Sequence, residues 1–436
     1  MNIRQIALRI LDEYEVGGKF INLALSTHLT DSLSREEKAA LTALLYTSVE
    51  RKLTYDYYIC ALAGRSDGDI DPHTKNILRI GFCQLLHMHS IPDFAAVNET
   101  VKLASGKGER AFVNGILREA ARRKDSLPMP KEEKNYCRYL SVKYSYPLST
   151  VKHFDSLYGR ENTERILDFF NKEKYTDITV NTTKIGIDEY ILRLSEKGIV
   201  AEKNTLVPNS LRINASINPE KLYGFDEGLF FVQDRASLIS AYALSAEEGH
   251  LIVDCCSAPG GKSFATAVYT ADKAEIHSFD LHDSKLSLIE SGKARLGLSS
   301  ISVSARDALA PDKDLVGKAD RVICDAPCSG LGVLGKKPDL RYKDSSVMAE
   351  LPSLQLDILS ASATYLKVGG ELIYSTCTLN PEENEMVVEK FLSCNADYTV
   401  VPFAIGELSA EGGMLTLLPN VHGTDGFFMA KIRRIK

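Results

Sequence analysis

From about residue 231 onward, short apolar segments alternate with stretches of helical spacing. Leu251-Ile252-Val253-Asp254, Glu275-Ile276-His277-Ser278-Phe279, Ile301-Ser302-Val303, Arg321-Val322-Ile323-Cys324 and Glu371-Leu372-Ile373-Tyr374 have the length and residue types of buried strands. Helical stretches separate them, a long one running over 354–366. Such alternation predicts a doubly wound, mostly parallel α/β sheet, because parallel strands need a long crossover that a helix supplies. The tail, 414–418 and 426–432, adds a terminal hairpin. In an open α/β sheet, ligands bind outside the carboxyl ends of the strands. The residues at those ends are therefore the first candidates for function.

The chain has 436 residues, too many for one ordinary core, and two or three domains are expected. Residues 1–126 read as helical. Ile3, Ile6, Ala7, Ile10 and Leu11 recur at helical spacing. Ser34 and Glu37 form a capping-box pattern ahead of Leu41, Leu44, Leu45 and Val49. Asp71-Pro72 opens another helix, carrying Ile77, Leu78, Gly81 and Leu85 and ending by Ile91-Pro92. Helices follow over 97–104 and 110–123. This pattern predicts an all-α bundle. Asp125-Ser126-Leu127-Pro128-Met129-Pro130 reads as a linker. Residues 131–230 mix helices over 151–157, 162–170 and 187–197 with strands over 177–181 and 210–213, which predicts a small α+β module. Residues 231–436 then form the α/β domain.

A hydrophobic content of 44% and a charged content of 25% fit a soluble globular protein. The start, Met1-Asn2-Ile3-Arg4-Gln5, lacks a signal-peptide core, and no apolar run approaches membrane-spanning length, so a cytoplasmic protein without a membrane partner is expected. The nine cysteines have no disulfide-framework spacing and no cysteine–histidine zinc spacing. Reduced thiols and no metal are expected. A net charge of -6 excludes a coat of positive charge but leaves room for local basic patches. Three clusters qualify: Arg118, Arg122, Arg123 and Lys124; Lys336, Lys337, Arg341 and Lys343; and Lys431, Arg433, Arg434 and Lys436. Each, taken alone, is more often a solvated helix or strand end.

Cys255-Cys256-Ser257-Ala258-Pro259-Gly260-Gly261-Lys262-Ser263 joins the first α/β strand to its helix. Glycines there admit a ligand close to the backbone, and the helix N-terminus favours an anion. The phosphate-binding P-loop is missed because Cys256 stands where it needs glycine, and the dinucleotide G-x-G-x-x-G is absent. Asp280 closes the second strand, where an acid can hold ribose hydroxyls, and Asp307 follows the third. The layout fits a ribose-bearing cofactor without a pyrophosphate, such as S-adenosylmethionine.

Two thiols complete the set of strand-end residues. Cys328 lies in Asp325-Ala326-Pro327-Cys328-Ser329-Gly330 and Cys377 in Tyr374-Ser375-Thr376-Cys377-Thr378. A thiolate at such an end is a strong nucleophile. A free cysteine is more often a small buried hydrophobe, and that reading is kept for Cys255, Cys256, Cys324, Cys60, Cys83, Cys137 and Cys394. Asn380-Pro381-Glu382-Glu383 reads as a helix start that would hold the Cys377 loop.

Ser257–Lys262, Asp325–Gly330 and Ser375-Thr376-Cys377 followed by Asn380-Pro381-Glu382-Glu383-Asn384 resemble the signature blocks of RNA cytosine-5 methyltransferases. Phe231-Val232-Gln233-Asp234-Arg235-Ala236-Ser237 resembles the block that opens their catalytic domain. Ala96-Val97-Asn98-Glu99 and Phe112-Val113-Asn114-Gly115-Ile116-Leu117-Arg118 are similar to the NusB-type RNA-binding fold. That fusion resembles the bacterial Sun (Fmu) type 16S rRNA cytosine-5 methyltransferases, and the likeness covers nearly the whole chain. The block after Cys377 departs slightly, reading Thr-Leu-Asn-Pro.

The resemblance implies a NusB-like bundle, a small middle module and a Rossmann-like S-adenosyl-L-methionine-dependent methyltransferase domain. It implies methyl transfer to C5 of a cytosine in 16S rRNA, the cytosine-967 type, free or in an early small-subunit particle, by a monomer. It makes Cys377 the attacking nucleophile and Cys328 the product-release cysteine; DNA cytosine methyltransferases attack from a Pro-Cys block, and the residue chemistry alone leaves the two unranked. Asp325 is the expected partner of the base, with Lys262 beside base or cofactor. Cofactor contacts are expected from Cys256, Ser257, Ala258, Pro259, Gly260, Gly261, Lys262, Asp280, Asp307 and Asp325. Phosphate contacts are expected from Lys336, Lys337, Arg341, Arg118, Arg122 and Arg123. The alternatives are a tRNA cytosine-5 methyltransferase and a non-catalytic NusB-like RNA-binding factor.

Overall fold

Helix caps written into the sequence start two of the N-terminal helices where they are expected. Ser34 Oγ accepts from the Glu37 amide at 3.2 Å while the Glu37 carboxylate accepts from the Ser34 amide at 2.9 Å. Asp71 accepts from the Thr74 amide at 2.9 Å, with Pro72 at the first helical position. The computed structural model describes residues 2–17, 21–29, 33–172, 175–214, 218–343 and 345–436. The chain divides into two units: Met1–Asn171 with Lys337–Lys343, and Lys172–Lys336 with Asp344–Lys436.

The first unit contains α1 (Ile3–Gly17), α2 (Ile21–His28), α3 (Arg35–Glu50), α4 (Lys52–Ala63), α5 (Pro72–His87), α6 (Asp93–Val101), α7 (Lys107–Arg122), α8 (Tyr136–Tyr144) and α9 (Leu148–Asn171). The α9 backbone leaves helical geometry at Gly159, whose φ of +72° suits glycine, so the two helices expected over 151–157 and 162–170 meet there. Ile6, Ile10, Leu41, Leu45, Ile77, Leu78, Phe82 and Leu117 share one core. A Cβ on Gly81 would lie 2.6 Å from the Leu117 methyls, so glycine lets α5 and α7 approach.

Two arginines are buried in this unit. Arg79, 4% exposed in its side chain, forks onto the Asp56 carboxylate at 2.7 Å through both Nε and Nη2, and reaches Glu15 at 2.6 Å. It thereby ties α1, α4 and α5. Arg341 comes from the Lys337–Lys343 segment and its side chain is 0% exposed. Its guanidinium donates to the carbonyls of Glu50 at 3.0 Å and Ser145 at 3.2 Å and to Asn171 Oδ1 at 3.0 Å, and lies over the Tyr146 ring. Tyr342 donates to the Val49 carbonyl at 2.9 Å. The segment is thus built into the bundle by buried hydrogen bonds.

The second unit opens with β1 (Tyr175–Val180), α10 (Ile187–Ser195), β2 (Ala201–Lys203), β3 (Ser210–Asn214) and β4 (Phe230–Val232). These strands form an antiparallel sheet in the order β2-β3-β1-β4. Tyr190 and Leu194 of α10 pack on Ile178, Val180, Leu211, Ile213 and Phe230. This is a small α+β module as expected, but the helices expected in it over 151–157 and 162–170 lie in α9 of the first unit. Next come α11 (Arg235–Ala243), β5 (Leu251–Asp254), α12 (Gly261–Tyr269), β6 (Glu275–Asp280), α13 (Asp283–Leu296), β7 (Ile301–Ala305), β8 (Ala319–Asp325), α14 (Ser345–Ala363), β9 (Leu366–Thr376) and α15 (Glu385–Cys394). The end of the chain supplies β10 (Tyr398–Val400), β11 (Phe403–Ile405), β12 (Leu408–Ala410), β13 (Met414–Leu417), α16 (Pro419–His422) and β14 (Phe427–Arg434).

The main sheet runs β10-β14-β9-β8-β5-β6-β7, with β13 paired to β14. Strands β5 to β9 are parallel, and β14 lies antiparallel to β9. Ile252, Ile276, Ile323 and Ile373 face one side, against Leu238, Phe264 and Ile289. Val253, Val322, Leu372 and Tyr374 face the other, against Ile358, Leu359, Val387 and Phe391. Both faces are covered, as a doubly wound sheet requires. The chain leaves β5 toward β6 and β7, then returns to β8 on the opposite side, so the strand order reverses between β5 and β8.

Two local differences from expectation have clear causes. Helix α14 ends at Ala363, and β9 starts at Leu366, extending the expected 371–374 strand past Gly369 and Gly370. The register with β8 shifts between Ala319 and Arg321, and a Cβ on Gly370 would lie 2.8 Å from the Ala319 carbonyl. The helix expected to begin at Asn380-Pro381 begins at Glu385, because side-chain hydrogen bonds hold 380–384 as a turn.

Burial alone would raise the Glu15 carboxyl; Arg79 and Lys52 outweigh it and hold the group below its ordinary value. A depressed folded-state pKa stabilises above the unfolded value and is lost as pH falls through the folded one. Arg79→Ala should therefore destabilise the bundle by about 2–4 kcal/mol at neutral pH. Denaturant titration should show the difference narrowing as pH drops below 4.5.

Candidate active site

Parallel pairing aligns the strand ends. Asp254 of β5 is in register with Ile323 of β8, and Asp325 of β8 with Ser375 of β9. The loops leaving β5, β8 and β9 therefore start side by side, at the reversal in strand order where open α/β sheets bind ligands.

Cys328 and Cys377 converge there, with Sγ–Sγ 3.3 Å. Hydrogen bonding to Cys377, then burial, pushes the Cys328 thiol well above its ordinary range. Cys328 is held as an S–H group beside the second sulfur. Gly332 permits this convergence: its amide donates to the Cys377 carbonyl at 3.0 Å, and a Cβ there would sit 1.9 Å from the Gly426 carbonyl.

Asp325 and Lys262 form the adjoining charged pair, with Nζ–Oδ2 2.6 Å. Asp325 Oδ1 accepts from Ser375 Oγ at 2.7 Å, which orients the carboxylate between β8 and β9. Lys262 is 8% exposed in its side chain and lies 5.2 Å from the Phe427 ring centroid. Burial pushes the Asp254 carboxyl up to about 7, against the hydrogen bond from Ser263 Oγ.

The loop after β5 reaches α12 through Gly260, whose φ of +106° suits glycine. Asp280 receives the Ala258 amide at 3.2 Å on one oxygen and the His282 amide at 3.2 Å on the other. Ser257 and Pro259 lie on the same loop. Ser257 Oγ and Asp254 Oδ1 are buried with no hydrogen-bond partner in the protein. An unsatisfied hydroxyl and carboxylate oxygen beside a glycine turn and a strand-end acid suit a polar ribose-bearing ligand. Asp307 is brought near by the Arg306 amide, which donates to the Asp280 carbonyl at 3.0 Å. Its own carboxylate caps the Leu309 amide at 2.9 Å in an exposed turn. Cys255, Cys256 and Cys324 are held as neutral thiols by burial. Cys394, expected to be buried, is exposed.

The expected phosphate contacts separate into two kinds. Lys337 is exposed, as are Arg118, Arg122 and Arg123 on and just after α7; Arg122 and Arg123 both pair with Glu119. Arg341 is a correction: it is buried and bonded inside the bundle, and presents no group to a phosphate. Lys336 is tied to Asp234 at 2.5 Å and Asp425 at 3.1 Å, so its charge is already balanced. In the C-terminal cluster, Lys431 and Arg433 both pair with Glu371. Sequence reasoning missed the importance of Glu383, Ser329 and Gln355, which hydrogen-bond to one another around the cysteine loops. The acid in the Asn-Pro-Glu-Glu run was the signal for Glu383 and the Asp325–Gly330 block that for Ser329; Gln355 carried none. Among the described residues, no group of three or more His, Cys, Asp or Glu is arranged to hold a metal ion, and no helix is long and apolar enough to cross a membrane.

Three family models match along the chain: the NusB family over residues 1–122, the ferredoxin-like domain of RsmF/B-like methyltransferases over 146–219, and the 16S rRNA methyltransferase RsmB/F over 241–433. The chain is 33% identical to a probable ribosomal RNA small subunit methyltransferase B of Synechocystis sp., covering 100% of both proteins. It is 31% identical to a probable ribosomal RNA small subunit methyltransferase B of Bacillus subtilis, covering 99% of each. Among solved structures, PH0851 superposes with a TM-score of 0.80 at 26% identity, covering 99% of this chain and 98% of that one. A methyltransferase homologue from Pyrococcus horikoshii gives 0.60 at 27% identity, covering 69% and 99%. The three parts are thus a NusB-like domain, a ferredoxin-like domain and a methyltransferase fold with a mixed sheet. Matched along its full length, the chain belongs to the family of ribosomal RNA small subunit methyltransferase B, the rRNA methyltransferases that carry a NusB domain ahead of the catalytic fold.

Proposed function

We propose that the protein transfers a methyl group from S-adenosyl-L-methionine to C5 of a cytosine in 16S rRNA, the cytosine-967 type, through a covalent link between Cys377 and C6. The observation that carries this reading is the 3.3 Å approach of two thiols beside the Asp325–Lys262 pair. A site with one thiol serves nucleophilic addition; a second thiol in contact serves a separate step.

Cytosine C5 is a poor nucleophile, and the base must leave its stack before a thiol can reach C6. Cys377, having given up its S–H proton to a base, adds as the thiolate through Sγ to C6, forming the S–C6 bond and moving ring electrons toward C5 and N3. Asp325, oriented by Ser375, would hydrogen-bond a ring nitrogen or the exocyclic amine, and Lys262 would offset the charge that develops. S-adenosyl-L-methionine supplies an electrophilic methyl group on a sulfonium. Transfer of that methyl to C5 would break the sulfonium S–CH3 bond and leave a neutral thioether, and a base would then remove the C5 proton. The electrons left at C5 re-form the C5–C6 bond and expel the Cys377 sulfur. Cys328, kept as S–H within reach of that sulfur, assists its departure by hydrogen bonding. Ser257, Ala258, Gly260, Gly261 and Asp280 would hold the cofactor, with Cys256, Pro259 and Asp307 shaping the surrounding loops. Lys337, Arg118, Arg122 and Arg123 are the proposed phosphate contacts. The reading includes a three-part division at 1–126, 131–230 and 231–436, a cytoplasmic location, and free rRNA or an early small-subunit particle as substrate for a monomer.

Labelled methyl transfer to rRNA tests the activity, and its absence across ionic conditions would overturn it. Cys377→Ala should abolish transfer and form no adduct, whereas Cys328→Ala should accumulate a denaturation-resistant protein–RNA adduct on gels. The reverse pattern would exchange the two roles. Asp325→Asn should lower kcat by about 10²–10⁴-fold, read by the same assay. Asp280→Ala should instead raise KM for the cofactor with a smaller change in kcat, because its contact is to the part of the ligand that does not react.

A further inference from the structure

Glu383 is 0% exposed, a position where a carboxylate requires several hydrogen-bond donors. It has them from three directions. On the Cys328 loop, Ser329 donates its amide to Oε2 at 2.8 Å and its hydroxyl to Oε1 at 2.5 Å. On the Cys377 loop, Thr378 Oγ1 lies 3.5 Å and Asn380 Nδ2 3.2 Å from Oε1. From α14, Gln355 Nε2 donates to Oε2 at 3.0 Å and to the Pro327 carbonyl at 2.9 Å. Ser329 Oγ and Thr378 Oγ1 also meet at 2.7 Å, closing the network across the two loops. The following residue works alongside: Asn384 receives Thr376 Oγ1 at 2.5 Å and donates to the Thr378 carbonyl at 3.1 Å. Two of the residues bonded to this one acid immediately follow the cysteines, Ser329 after Cys328 and Thr378 after Cys377.

We propose that Glu383 is the positioning residue of the cysteine pair: its buried carboxylate, bonded to both loops, sets the separation and orientation of the Cys328 and Cys377 sulfurs. The inference rests on the proposed roles of Cys377 as nucleophile and Cys328 as release thiol. A neutral amide cannot replace the carboxylate. Glu383→Gln puts an NH₂ donor where the acid offered an acceptor, so it faces the donors of Ser329 and Gln355 or those of Thr378 and Asn380. One loop is then released from the other. Glu383 also contributes negative charge near the Cys328 thiol, after the larger effects of Cys377 and burial, in the direction that keeps it protonated.

The test compares Glu383→Gln with the unmodified full-length protein in steady-state methylation of rRNA. Positioning predicts that kcat falls by about 10²-fold, the usual cost of a misplacement near 1 Å, while KM for RNA and for S-adenosyl-L-methionine stays within about twofold. An RNA-independent measurement keeps this separate from the catalytic reading. Phenylarsine oxide condenses with two neighbouring thiols, forming two As–S bonds and releasing water. The unmodified protein should bind it through Cys328 and Cys377, and Glu383→Gln should bind it at least about tenfold more weakly. Should Glu383→Gln fail to fold, Ser329→Ala and Thr378→Val each remove one partner of the acid. Each should then lower kcat without moving KM. Unchanged kcat and unchanged arsenical affinity in the folded variants would overturn the inference. An unmodified protein that binds the arsenical but transfers no methyl group would sink the catalytic reading instead, leaving the positioning of the sulfurs tested by the arsenical alone.

Discussion

The site depends first on backbone pairing. Parallel hydrogen bonding sets Asp254 beside Ile323 and Asp325 beside Ser375, and so fixes where three loops begin. Slipping β9 by one residue against β8 would turn every side chain of β9 to the opposite face. Ile373 and Leu372 would exchange cores, which the two separate apolar clusters resist. The hydrophobic pattern of the strands thus controls the position of the chemistry at their ends. Side chains then refine what register has placed: Gly332 admits the close approach of the two cysteine loops, and Ser375 orients Asp325.

Charge is managed differently in the two units. Arg79 in the bundle is enclosed by two carboxylates and gains a fork-shaped pair, a structural use of a buried ion. Near the site, Asp254 is raised to about 7 by burial, and Asp425 to about 8 by burial and by Asp234. Asp425 is paired with Lys336, whereas Asp254 leaves Oδ1 without a partner in the protein, as suits a group kept for a ligand rather than for stability.

Much of this was legible from residues whose partners are near in sequence or follow a strict period. The capping box at Ser34, the Asp71 cap and the alternating strands are of this kind, and the strand-end positions of Cys328 and Cys377 followed from them. What escaped depended on distant partners. Nothing around Arg341 announces that its guanidinium bonds to Glu50, Ser145 and Asn171, and the neighbouring lysines suggest a surface patch instead. Lys336 is exposed, but its pairing with Asp234, 102 positions away, was equally invisible. Asn380-Pro381 carried the local signature of a helix start, yet the hydrogen bonds of Glu383 with Ser329 and Gln355, and of Asn384 with Thr376 and Thr378, override it. Local chemistry wins where no tertiary competitor exists.

The helical unit is discontinuous along the chain. Its missing piece, Lys337–Lys343, is encoded between β8 and α14 of the other unit. A gene fragment stopping after Asn171 would therefore make a bundle lacking a segment, with the Glu50 and Ser145 carbonyls deprived of the arginine that satisfies them. A fragment starting at Lys172 would carry that segment without its host. For anyone dissecting such proteins into modules, the boundaries drawn on a linear map do not coincide with the compact units. Grafting the bundle elsewhere would require carrying this short stretch along, by permutation or by splicing it onto the end of α9.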